Sequence, residues 1–87
     1  MRSKTHPGFW DAYYQLPKTV QTRAAVVYKR WRKNPDQPGL SFKPVKGKPF
    51  VYSVRIGRQW RALGLKEGDT ITWFWIGPHS EYDRLIS

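Results

Sequence analysis

Eighty-seven residues, read as a single domain over positions 1–87, build one modest core and no second lobe, so any active site must lie on a surface or in a shallow groove. Lys and Arg total 16 against 6 Asp and Glu, a net charge of +10 that calls for a polyanionic partner, nucleic acid first and an acidic protein second. Without cysteine there is no disulfide framework, thiolate zinc site or thiol nucleophile, and apolar runs such as Trp73–Ile76 are far too short to cross a bilayer, so the expectation is a cytoplasmic protein that does not engage membrane.

Arg2–Thr5 is short and polar, with the character of an edge strand. Thr5 followed by Pro7 reads as a helix start, because proline is tolerated in the first turn, and Phe9, Trp10, Tyr13 and Leu16 then recur at helical spacing. Pro17 interrupts. Val20, Ala24, Val27, Tyr28 and Trp31 predict a second helix from Lys18 to about Lys33, ended by Asn34 and Pro35. Its other face carries Arg23, Lys29, Arg30, Arg32 and Lys33 and reads as a solvated surface.

Beyond Gly39 the period changes to two. Leu40 and Phe42 alternate with Ser41 and Lys43, and Pro44 places this strand on or near an edge. Lys46–Pro49 is a turn. In the next strand Phe50, Tyr52, Val54 and Ile56 share the core face, leaving Val51, Ser53 and Arg55 on the other. Gly57–Gln59 turns into Trp60–Leu65, where Ala62 and Gly64 oppose Leu63 and Leu65 and periodicity does not fix the face of Arg61. After a hairpin turn at Lys66–Asp69, Thr70–Ile76 is apolar on both faces, which marks a central strand with Trp73 and Trp75 in the core. Ser80 and Asp83 match a capping box for a short terminal helix. The expected fold is α+β: two N-terminal helices packed on one face of a twisted, mainly antiparallel sheet of about four strands, then a short C-terminal helix.

The acidic residues are scattered, which argues against a two-metal carboxylate site, and there is neither a nucleophile elbow nor a glycine-rich phosphate loop. What remains is phosphodiester chemistry without metal or cofactor, on RNA, which brings its own 2′-hydroxyl nucleophile. His79 is a candidate acid or base, Arg55 and Arg61 suit stabilisation of the crowded phosphorane, and Tyr82 suits orienting the hydroxyl or stacking on a base. Arg58, Lys43, Lys46 and Lys48 are candidates for gripping flanking phosphates, with Trp60 as an exposed stacking ring. The plainer reading stands beside this: His79 as a residue preceding a helix cap, and the arginines as a solvated strand face that blunts edge pairing.

The order of elements, the Val51–Gly64 segment and the closing Trp75–Asp83 segment resemble the RelE/ParE superfamily of bacterial type II toxins over nearly the whole chain from Pro7 onward. The resemblance implies a ribosome-dependent endoribonuclease that cuts mRNA in the A site by metal-free 2′-OH attack and is neutralised by a cognate acidic antitoxin. It matches Arg55 to a basic catalytic strand residue, Arg61 to a phosphate-contacting arginine, His79 to the general acid or base, and Tyr82 to a terminal aromatic or acid. Ser53 departs from the pattern, standing where some members have lysine. Two other functions remain open at this level: a ParE-type inhibitor of DNA gyrase acting by protein contact, and a non-enzymatic basic module that binds RNA or the ribosome.

Overall fold

The computed structural model describes all residues from Met1 to Ser87. In chain order its elements are β1 (Arg2–Thr5), α1 (Pro7–Tyr14), α2 (Lys18–Lys33), β2 (Lys43–Val45), β3 (Lys48–Gly57), β4 (Trp60–Glu67), β5 (Thr70–Pro78) and α3 (His79–Ile86). The sheet has five strands in the order β1-β5-β4-β3-β2, one more than the four in hairpin connection that the sequence suggests. The extra one is the polar edge segment Arg2–Thr5. It pairs with β5 in parallel while all other neighbours are antiparallel.

Helix α1 starts where the proline predicts, but its cap is His6, whose Nδ1 accepts from the Gly8 N–H at 3.0 Å. Pro17 then separates it from α2, which buries Val20, Ala24, Val27 and Trp31 at i, i+4, i+7 and i+11 and turns its cations outward. These side chains meet Val54, Ile56, Ala62, Trp73 and Ile76 from the sheet in one core. An apolar cleft of about 400 Å³ runs between α1 and α2 down to that core, with the exposed rings of Trp10 and Tyr28 along it.

Three details differ from the sequence reading. Phe50 is 67% exposed: it lies in the β2–β3 hairpin beyond the last β3–β4 pair, Val51 opposite Leu65. Trp73 is core but Trp75 is not. A register shift between Leu63 and Gly64 moves Trp75 opposite Leu63, onto the face turned away from α2. The capping box does not form either: α3 begins two residues earlier, at His79, with Pro78 as its cap and no side-chain cap hydrogen bond.

Candidate functional site

Strand register determines which side chains meet. Val54, Ala62 and Ile76 form one transverse row across β3, β4 and β5 and are buried on the helix side. The adjacent rows therefore project to the other face: Lys43, Ser53, Leu63 and Trp75 in one, Arg55, Arg61 and Gly77 in the next. With strands about 4.8 Å apart, Arg55 and Gly77 flank Arg61 across about 10 Å. Helix α3 folds back against β4 and β5, and Ser53 and Leu63 are buried on this face too.

His79 follows Gly77 by two residues, at the start of α3. Pro78 lies opposite Trp60, and the His79 N–H donates to the Gln59 carbonyl at 2.7 Å, which ties the start of α3 to the β3–β4 turn. The imidazole is 42% exposed, its Nε2 lies 3.3 Å from Asp83 Oδ1 one helical turn on, and its ring centroid lies 5.4 Å from that of Tyr82. This contact with Asp83 is the only ion pair in the protein, so every lysine and arginine lacks a carboxylate partner.

Arg61, whose face the sequence left open, is half-buried, and its Nη1 is shielded from solvent with no hydrogen-bond partner in the chain. A buried unpaired donor costs about 1–3 kcal/mol, more for a charged group. Arg55 is exposed. Gly77 leaves room in the row for an aromatic ring: a Cβ at that position would stand 2.5 Å from Cζ2 of Trp75.

The flanking candidates divide. Lys43, opposite Ser53, belongs to the row next to Arg55 and is exposed. Lys46 and Lys48 lie at the far end of β3; Lys48 is separated from Arg55 by roughly 23 Å at about 3.3 Å per residue, too far to serve the same phosphate. Arg58 is exposed in the β3–β4 turn. Trp60 is not the free ring expected from sequence; it is half-buried and packs against the core because its strand position, opposite Gly57, faces α2.

Beside the row runs a second, basic groove of about 660 Å³ between α2 and the β3–β4 turn, with Arg23 and Arg30 on one wall and Arg55 and Arg58 on the other. Sequence reasoning left Arg23 and Arg30 as solvated surface. Their separation of seven residues, two helical turns on one face, is the signal that could have paired them. No group of three or more His, Cys, Asp or Glu side chains is gathered so as to hold a metal ion.

Residues 18–84 match the family model of the ParE-like toxin domain. A comparison with curated proteins finds no match. Among solved structures, the chain is similar to the RelB–RelE antitoxin–toxin complex of Methanococcus jannaschii, at 16% identity and TM-score 0.77, covering 97% of this chain and 99% of that one. It is similar to YafQ from Escherichia coli BL21(DE3), at 9% identity and TM-score 0.74, covering 94% and 98%. The isolated Escherichia coli RelE toxin is a further likeness, at 13% identity and TM-score 0.67, covering 99% and 98%. At such identities the likeness is one of fold, and the family rests on the sequence model, which spans most of the chain: the protein belongs to the ParE-like toxin domain family.

Proposed function

We propose that the protein is the toxin of a type II toxin–antitoxin system and acts as a ribosome-dependent endoribonuclease on mRNA. The observation that carries the reading is the row Arg55, Arg61, Gly77, with His79 two residues beyond Gly77 along the chain, in a protein whose lysines and arginines have no carboxylate partners. In the proposed reaction the 2′-oxygen attacks the adjacent phosphorus, the bond from phosphorus to the 5′ oxygen breaks, and the products end in a 2′,3′-cyclic phosphate and a 5′-hydroxyl. One proton leaves the 2′-OH and one reaches the departing 5′ oxygen; His79 carries one of these transfers. Arg61 and Arg55 hold the non-bridging oxygens, where negative charge builds in the phosphorane. Tyr82, beside the imidazole, orients the hydroxyl or stacks on a neighbouring base.

The cognate partner in this reading is an acidic antitoxin. Its amphipathic segment would find both cationic surface and the apolar cleft between α1 and α2. Primer extension on a translated message after brief expression tests the function: discrete stops inside codons are expected. Intact transcripts together with DNA-damage signalling would replace the nuclease with the gyrase-inhibitor reading.

A further inference from the structure

We propose that the groove between α2 and the β3–β4 turn binds the phosphodiester backbone of single-stranded RNA running on from the linkage held at Arg55 and Arg61, an inference that rests on the nuclease reading for its direction. Four arginines line the groove and no Asp or Glu does. Arg23 and Arg30 are about 10 Å apart along the helix axis, so they address different phosphates. Arg55 belongs both to this groove and to the row containing Arg61, which makes the two surfaces continuous.

The two arginines of α2 are also held in place. A Cβ on Gly57 would stand 3.0 Å from Cδ and 3.6 Å from Nε of Arg23, so the aliphatic stem crosses bare backbone toward the turn. Arg30 Nε donates to Gln37 Oε1 at 3.3 Å, and Gln37 Nε2 donates to the Arg30 carbonyl at 3.0 Å. Along the floor Val20, Val27, Leu40 and Ile56 are buried, so the groove offers guanidinium groups and little apolar surface. An amphipathic acidic helix needs an apolar stripe to dock. A nucleic-acid backbone needs spaced cations with an aromatic edge nearby, here Trp60.

The test compares the wild type with Arg23→Gln/Arg30→Gln and, independently of the helix, Arg58→Gln, each checked for an unchanged circular-dichroism spectrum. The probe is a labelled 12-nucleotide oligouridylate bearing 2′-O-methyl groups, which cannot be cut by 2′-OH attack, titrated at several salt concentrations. Loss of two backbone contacts lowers the slope of log Kd against log salt by about 1.4, and loss of one by about 0.7. A parallel pelleting assay on intact ribosomes identifies the source of the RNA: a lower slope on the oligonucleotide assigns the groove to the substrate strand, and weakened ribosome binding alone assigns it to ribosomal RNA. Unchanged slope and unchanged ribosome binding in both variants would overturn the proposal. Because the probe is inert, a wild type that shows the full slope yet never cuts a message sinks the nuclease reading and leaves the groove standing.

Discussion

Arg55 and Arg61 stand directly opposite each other on β3 and β4, two cations on one face of the sheet with no carboxylate paired to either. Like charges at directly opposed positions oppose strand pairing, by an amount on the order of 0.5 kcal/mol. Arg55→Gln is therefore expected to raise the melting temperature by about 2–4 °C at low salt, and by less at high salt, where the repulsion is screened. Thermal melts at two ionic strengths check this. A lower melting point at both would mean that the exposed Arg55 stem contributes more by packing than its charge takes away.

Arg61 has a different cost, since its Nη1 is buried and unpaired. Arg61→Met keeps a long flexible stem and removes the orphan donor, recovering about 1–3 kcal/mol of stability. In the proposed reaction the same substitution also removes a donor to developing charge, a loss that typically costs about 10²–10³ in rate. The expected result is a protein that melts later and cuts far more slowly, measured by denaturation and by cleavage of a message on programmed ribosomes. A destabilised variant would show that the guanidinium finds a partner in solution.

Much of this arrangement is legible in the sequence because period and punctuation agree. Pro17 and Asn34 bracket α2, and the alternation from Phe50 to Ile56 sends Arg55 away from the core side. The β4–β5 pairing is less legible for a physical reason: the shift between Leu63 and Gly64 reverses which residues of β5 face the helices, so Trp75 leaves the core although Trp73 enters it. Arg61 is ambiguous for the same local cause, with small and large apolar residues alternating beside it. Trp60 looks like a free ring next to arginines, yet its position opposite Gly57 faces α2. Arg23 and Arg30 are read as solvent-facing because their counterparts, Arg55 on β3 and Arg58 in the β3–β4 turn, are brought beside them only by tertiary packing.

Gly77 is the one position in the Arg55–Arg61 row without a side chain, and the Trp75 ring fills the space. A Cβ there would stand 2.5 Å from Cζ2 and 3.0 Å from Cη2 of that ring. Gly77→Ala must displace the indole, and forcing extra volume into a packed site costs about 1–3 kcal/mol. The expected outcome is a melting point lower by several degrees together with an altered near-ultraviolet circular-dichroism band from the displaced tryptophan. An unchanged melting point would mean that the ring moves freely and does not shape the site.

His79 separates chemistry from stability more cleanly than any other residue here. Its side chain is 42% exposed and its only ionic neighbour, Asp83, is 60% exposed, so the pair is worth less than about 1 kcal/mol and His79→Ala should fold and melt almost as the wild type does. Loss of a positioned proton carrier costs about 10²–10⁴ in rate. Asp83→Asn, which keeps the imidazole and removes its charged neighbour, should cut more slowly than wild type but well above His79→Ala. Single-turnover cleavage of a message on stalled ribosomes, scored by 2′,3′-cyclic phosphate ends, ranks the three proteins. If His79→Ala cuts at the wild-type rate while folding normally, the imidazole takes no part in the reaction, and the two arginines would be acting on phosphate without it.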